Sequence, residues 1–142
     1  MKRTLLLYLG VCLCFLSTGC SEILEDCIFW PAKPNIKTNN IPSGYFNTYY
    51  YAEIEAEIEN DPDDLQYHYD FDWDGTIPAG LSYWVHNNKF FLEGYPSQTG
   101  RFSFTVYVYV EPPYEGNYDE WDDDNICLNN DTASKSFQIE IY

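Results

Sequence analysis

Residues 77–110 read IPAGLSYWVHNNKFFLEGYPSQTGRFSFTVYVYV, and this stretch decides the fold. From Phe102 to Val110 every second residue is apolar, which places the apolar side chains on one face of an extended strand. Asn87-Asn88 separates two shorter strand-like segments, and asparagine favours a hairpin turn because it tolerates positive φ. The stretch therefore predicts three strands joined by a hairpin and a turn.

The same alternation appears in YYYAEIEAEIEN, residues 49–60. Small and apolar residues at 52, 54, 56 and 58 share one face, and glutamates share the other. A helix is the competing interpretation, since alanine and glutamate both favour helices. A helix would spread the two isoleucines around its circumference, so the strict alternation predicts one half-buried strand.

Two further segments complete an all-β pattern. In LQYHYDFDW, residues 65–73, we expect the side chains of Leu65, Tyr67, Tyr69, Phe71 and Trp73 to point inward. The last segment, SKSFQIEIY, predicts a final strand with Phe137, Ile139 and Ile141 inward. The fold class predicted from the sequence is therefore all-β.

Residues 70–75, DFDWDG, match the opening of an EF-hand calcium loop. In an extended strand, however, alternate aspartates lie about 6.6 Å apart in a line and cannot wrap one ion. Counting from Asp70, the twelfth position is Leu81, where an EF-hand needs a bidentate carboxylate. We therefore interpret these aspartates as the solvent face of a strand.

The order of motifs resembles the bacterial immunoglobulin-like and cadherin-like domain family. The matching residues are Pro78, Ala79, Gly80, Leu81, Ser82, Gly94, Pro96, Gly100, Phe102, Phe104, Thr105 and Val106. The resemblance covers about residues 45–142 and implies an immunoglobulin-like β-sandwich of two antiparallel sheets, with six to eight strands. The chain departs from the family pattern by an acidic loop insertion at 111–133.

The N-terminal segment MKRTLLLYLGVCLCFLSTGC has a charged start, an apolar run and small residues before Cys20, which is typical of a cleaved secretory signal. It also resembles the lipobox of bacterial lipoproteins, although Leu16 lies four residues before the cysteine rather than three. That resemblance implies a signal peptide over 1–19, acylation of Cys20, and anchoring to membrane lipid in the bacterial cell envelope, at the outer membrane. An ordinary secretory signal is the alternative. The prolines of residues 20–44 break regular structure, so we expect this segment to be a tether that carries the lipid at Cys20.

The chain carries 7 cationic and 23 acidic residues, for a formal net charge of −16. Removal of the signal peptide takes away Lys2 and Arg3, and 5 cations against 23 acids leave a charge near −18. Such a charge repels nucleic acid, so the sequence predicts no nucleic-acid partner.

Two of the five cysteines, Cys27 and Cys127, remain after signal cleavage and lipidation of Cys20. An exported compartment permits disulfides, so we expect these two to form an intramolecular bridge. Pairing of each thiol with another molecule is the alternative.

No catalytic set emerges from the sequence. The two histidines, His68 and His86, are expected at the surface, and no G-x-S-x-G nucleophile motif is present. We therefore predict a protein that is not an enzyme and that needs no cofactor. The insertion offers Asp119, Asp122 and Asp124 as weak calcium candidates, against the alternative of a solvated acidic loop.

Aromatic residues provide the remaining candidate contacts. Tyr107 and Tyr109 should lie on the outer face of their strand, where Tyr118 and Trp121 of the insertion are able to join them. The leading hypothesis is a lipid-anchored lipoprotein with a non-catalytic domain for binding or adhesion to an envelope protein or glycan. The alternatives are a carbohydrate-binding surface lipoprotein that uses these aromatics, and an inhibitor of an envelope enzyme.

Overall fold

The computed structural model describes residues 31–112, 128 and 130–142. The strands are β1 (Lys33–Ile36), β2 (Tyr50–Glu59), β3 (His68–Gly75), β4 (Leu81–His86), β5 (Lys89–Gly94), β6 (Gly100–Glu111) and β7 (Thr132–Ile141). A short 3₁₀ turn, Asp64–Gln66, precedes β3. Within these ranges no helix is long and apolar enough to cross a membrane. The predicted signal peptide, the two cysteines of the expected disulfide and most of the insertion lie outside the described residues.

The strands form two antiparallel sheets that pack face to face. One sheet has the order β1-β2-β5-β4 and the other the order β3-β6-β7. Their inner faces share one core, in which Ile54, Leu92 and Val106 are fully buried. This arrangement confirms the prediction of an immunoglobulin-like β-sandwich.

The predicted faces of β2 and β6 are confirmed. Residues 52, 54, 56 and 58 of β2 are buried, whereas the glutamates between them face outward and are only partly covered. On β6 the apolar residues from Phe102 to Val110 are buried in the same alternating way. Burial of one face fixes the register of each strand, because a shift of one residue would expose its apolar side chains.

Two glycines allow the segment 78–82 and the segment 94–96, which carry the family-like motifs, to pack closely against each other. Gly80 has φ +90° and Gly94 has φ +141°, in the region that favours glycine. The two segments lie against each other, because the Tyr95 amide donates to the Gly80 carbonyl at 3.1 Å and the Ser97 amide to Ala79 at 2.8 Å. A side chain at Gly94 would collide with the Gly80 carbonyl oxygen.

The predicted start of β3 is corrected. The strand begins at His68, and Leu65, expected to point inward, is 71% exposed. Its backbone curls in the 3₁₀ turn, where the Gln66 amide donates to the Asp63 carbonyl at 2.9 Å. The alternating sequence pattern therefore begins before the strand does, because the local turn determines the backbone of residues 64–66.

Trp73, also expected inside, is only half-buried because β3 and β4 are both edge strands.

The predicted tether, residues 20–44, is corrected at its C-terminal part. β1 pairs antiparallel with β2, and Ile36 is 2% exposed, so this strand contributes to the core. Pro34 lacks an amide donor, which an edge strand tolerates. Further on, Gly44 bridges Ile141 of β7. The domain therefore includes residues before 45.

The insertion is also shorter than predicted, because β6 extends to Glu111 and β7 begins at Thr132.

The sandwich has two distinct ends. At the base, β1 begins, β2 ends and β6 passes into the insertion. At the tip, β2 begins beside the end of β5, and Gly44 meets the end of β7. The ten residues of β2 separate base and tip by roughly 30 Å at about 3.3 Å per residue.

A candidate aromatic binding surface

The sequence-predicted contacts Tyr107 and Tyr109 lie on the outer face of the β3-β6-β7 sheet. Tyr107 is half-buried and Tyr109 is exposed, as expected for residues that alternate with buried valines. On one side they pair with Asp72 and Asp70, and on the other with hydroxyl-bearing residues of β7. Tyr118 and Trp121, the expected companions, lie outside the described residues.

The aspartates of β3 face solvent in one row, as the strand interpretation predicts. Asp70, Asp72 and Asp74 are exposed, and so are both histidines, His68 and His86. Among the residues that the structure describes, no three of His, Cys, Asp and Glu are grouped so as to hold a metal ion. The calcium candidates Asp119, Asp122 and Asp124 lie outside that part of the chain.

A second aromatic surface, which the sequence analysis missed, covers the outer face of the other sheet. We call Tyr51, Trp84 and Phe91 the aromatic platform; they come from β2, β4 and β5. The Trp84 ring stacks on Phe91 with centroids 3.9 Å apart and planes 12° from parallel. Tyr51 reaches Phe91 from the other side, with centroids 6.0 Å apart. Phe91 is thereby 6% exposed although it points outward from the sheet.

Glu93 fixes the platform from the next row of the sheet. Its Oε1 accepts a hydrogen bond from Trp84 Nε1 at 3.1 Å, and its Oε2 accepts one from the Tyr49 hydroxyl at 2.6 Å. This bond to the carboxylate raises the pKa of Tyr49 above its usual value, because it favours the protonated hydroxyl. Both aromatic side chains are therefore held in one orientation by the same carboxylate.

An ion pair forms the neighbouring part of the rim. Lys89 Nζ contacts the Glu53 carboxylate, and that hydrogen bond raises the pKa of Lys89. The Tyr51 hydroxyl lies 3.5 Å from the other Glu53 oxygen. Partial desolvation, together with the charge of Glu53, raises the pKa of Tyr51. A flat apolar centre is thus bordered by oriented polar atoms.

The aromatic surface continues to the tip of the sandwich. Tyr49 and Tyr95 pack edge to face with centroids 5.5 Å apart, and both are exposed. Tyr45 and Phe46 are exposed in the same region. The platform and the Tyr49–Tyr95 pair therefore form a surface that runs from the outer sheet face to the tip.

One feature of the sequence points to this surface. Tyr83-Trp84 and Phe90-Phe91 are pairs of adjacent aromatics, and neighbouring residues of a strand point to opposite faces. One member of each pair must therefore leave the core. In the structure Tyr83 and Phe90 stack on the inner face, with centroids 5.2 Å apart, while Trp84 and Phe91 stack on the outer face.

Comparisons with known proteins find similar solved structures at low sequence identity. No protein-family model matches the sequence, and no curated protein sequence matches it. Among solved structures, titin domain M7 is similar at 16% identity and a TM-score of 0.44, over 79% of this chain and 96% of that domain. An endo-fucoidan hydrolase of glycoside hydrolase family 107 gives 16% identity and a TM-score of 0.52, over 84% of this chain and 18% of the hydrolase.

A candidate α-galactosidase/melibiase from Bacteroides fragilis is similar at 15% identity and a TM-score of 0.48, over 86% of this chain and 20% of that protein. The chain thus spans about a fifth of each of these two proteins. At such identities a likeness concerns the fold alone, and the activities of the hydrolases remain theirs.

Proposed function

We propose that this chain is a lipid-anchored protein of the bacterial cell envelope, at the outer membrane, whose immunoglobulin-like domain is a non-catalytic binding module. The observation that carries the proposal is the position of the exposed aromatic surface. It occupies the outer face of one sheet and extends to the tip, while the chain enters the domain at the base.

The direction of the chain at the base supports this orientation. The Asn60 side-chain amide donates to the Pro31 carbonyl at 3.2 Å, and Ala32 bridges Leu128. Pro31 and Ala32, the first residues that the structure describes, therefore lie at the base. The lipobox-like sequence ending at Cys20 precedes them in the chain, which supports an anchor on that side, and several acyl chains on one residue give stable attachment. An anchored domain would then present its tip away from the membrane.

The rigidity of the aromatic surface supports binding as its role. Association costs about 0.5–1.5 kcal/mol for each flexible side chain that must be immobilised. Trp84 and Tyr49 are already held by Glu93, and Phe91 is fixed beneath Trp84. A partner that contacts these rings meets a surface that is largely ordered before binding.

Photocrosslinking in intact bacteria tests the proposal. The photoreactive residue p-benzoylphenylalanine replaces Tyr95 at the tip in one variant and Asp63, an exposed turn residue at the base, in the matched control. We expect light-dependent adducts with an envelope component at position 95 and few at position 63. Adducts confined to position 63, or their absence at both positions, would contradict a binding surface at the tip.

A further inference from the structure

We propose that the aromatic platform binds a neutral carbohydrate, with the apolar face of a sugar ring stacked on Trp84 and neighbouring sugar hydroxyls bound to Glu93. The inference rests on the proposed function and assigns a ligand class and a site to it. It differs from the sequence-based hypothesis of a sugar surface at Tyr107 and Tyr109, which lie on the opposite sheet.

One face of the Trp84 ring is open. The other face lies on Phe91 at 3.9 Å. Trp84 belongs to β4, an edge strand of its sheet, so within the described residues no further strand stands on its open side. The residue is 42% exposed, as expected for a ring covered on one face. A flat, immobile and half-open indole is suited to the flat C–H face of a pyranose.

The exposed aromatic area fits a short oligosaccharide in size. Tyr49, Tyr51, Trp84 and Tyr95 are 54%, 44%, 42% and 59% exposed. Aromatic side chains bury about 150–250 Å² each when covered, so these fractions leave on the order of 400 Å² of ring surface. An area of that order is sufficient for a short oligosaccharide to stack on.

Hydrogen-bonding groups border the Trp84 ring. Each Glu93 oxygen accepts one hydrogen bond within the protein, from Trp84 or Tyr49. A carboxylate has about four acceptor sites, so Glu93 keeps capacity for hydroxyl donors. Lys89, which is paired with Glu53, adds a hydrogen-bond donor on the side of Phe91 away from Glu93. An apolar ring bordered by acceptors and a donor is complementary to a sugar, which has an apolar face and a rim of hydroxyls.

Charge selects a neutral sugar rather than an anionic one. Among the described residues no cation forms a salt bridge with Glu93. The chain carries 23 acidic residues against 7 cationic ones. Sulfate or uronate groups placed beside Glu93 would meet like charge at short range, which disfavours binding.

Binding to defined oligosaccharides tests the inference. The mature lipidated protein, in a detergent without a sugar head group, is titrated with neutral β-glucan, β-galactan and β-mannan hexaoses, and with heparin and alginate hexaoses as anionic counterparts. Intrinsic tryptophan fluorescence and calorimetry follow binding. We expect a neutral hexaose to bind and to shift the fluorescence, and Trp84→Ala to weaken the affinity by at least about tenfold.

Two further variants separate the site from the stability of the domain. Trp84→Phe keeps a ring on Phe91 but loses the indole donor and part of the stacking area, so we expect an intermediate affinity. Tyr109→Ala removes an exposed ring on the opposite sheet and should leave the affinity unchanged. Thermal unfolding shows whether each variant is folded.

The outcomes distinguish this inference from the proposed function. Binding that survives Trp84→Ala, binding abolished by Tyr109→Ala, or a preference for the anionic hexaoses overturns the inference. Failure of every neutral hexaose to bind also overturns it, and tip-specific crosslinks to an envelope protein would then retain the binding module with another ligand. Absence of both would overturn the inference and the proposed function together.

Discussion

Ala32 and Leu128 form a parallel β-bridge at the base of the sandwich. The bridge brings the segment that leads in from the N-terminal side next to the segment that ends the acidic insertion. Glu111, where β6 passes into the insertion, is at the same end. Ala32 and Leu128 thus lie at the base, and Tyr49 and Tyr95 at the tip are separated from them by the length of β2.

The Ala32–Leu128 contact bears on the expected disulfide. Cys27 lies five residues before Ala32, and Cys127 is adjacent to Leu128. A Cys27–Cys127 bridge would close a loop of about 100 residues, for which the chain-entropy model gives up to about 4.7 kcal/mol. We expect non-reducing mass spectrometry of the purified monomer to detect the linked peptide. Free thiols, or a disulfide-linked dimer, would contradict the prediction.

Lipidation of Cys20 is predicted from the lipobox-like sequence. In bacteria fed labelled palmitate, the wild-type chain should incorporate label and Cys20→Ala should not, because the acylated sulfur is then absent. Cys27→Ala is a matched control that keeps Cys20 and should remain labelled. A labelled Cys20→Ala protein would show that the anchor lies elsewhere.

The two faces of β3 should respond differently to substitution. Asp72 is exposed, and its Oδ1 accepts the Trp73 amide at 2.8 Å, an acceptor that asparagine retains. Asp72→Asn should therefore change the free energy of unfolding by less than about 0.5 kcal/mol. Trp73 is half-buried and packs edge to face on Tyr83 at 5.9 Å.

Trp73→Ala should accordingly cost roughly 2–3 kcal/mol, less than the roughly 3–5 kcal/mol expected for a fully buried aromatic. Urea unfolding of both variants measures the difference. A larger loss for Asp72→Asn than for Trp73→Ala would mean that the faces of β3 are reversed.

Gly94 and Gly100 provide a matched pair for testing the close approach of the two motif segments. Both have positive φ, +141° and +131°, so alanine is strained at either position. At Gly94 the added methyl group also meets the Gly80 carbonyl, whereas at Gly100 the nearest atom belongs to the Phe102 ring at 3.9 Å. Gly94→Ala should therefore lower the free energy of unfolding by at least about 2 kcal/mol more than Gly100→Ala. Equal losses in thermal unfolding would show that φ alone sets the cost.

The tyrosines beside the core should make the protein sensitive to alkali. Burial, the hydrogen bond to Asp61 and the charge of Asp61 raise the pKa of Tyr67 from 10.0 to about 12, and burial also raises the pKa of Tyr50 and Tyr69. The folded state thus retains protons that the unfolded state loses. This stabilisation is complete below pH 10 and is lost as the pH rises through the folded-state pKa.

Tyr67→Phe removes one of these groups together with its hydrogen bond to Asp61. The variant should be less stable at neutral pH, and its stability should fall less steeply between pH 10 and pH 12. Urea unfolding at several pH values measures the slope. Identical slopes for the variant and the wild type would contradict the assignment of this sensitivity to Tyr67.

The local features of the fold could be predicted from the sequence because they depend on neighbouring residues. Alternation determines the faces of β2 and β6, since successive side chains of a strand must point to opposite sides. The turn at Asn87-Asn88 is equally local, and Asn87 has the expected positive φ of 51°. These features were sufficient for the all-β class and for the immunoglobulin-like sandwich.

The pairing of distant segments was decided only by the tertiary structure. The sequence predicts a tether where β1 forms, because the four residues of β1 show no long alternation and the β2 edge that pairs with them is more than a dozen residues away. The aromatic platform likewise requires residues 51, 84 and 91 to become neighbours through the registers of β2, β5 and β4. Register between strands depends on the shared core and on the turns together. The sequence by itself therefore determined that one member of each adjacent aromatic pair leaves the core, and the packing of the sheets decided which of them meet on one surface.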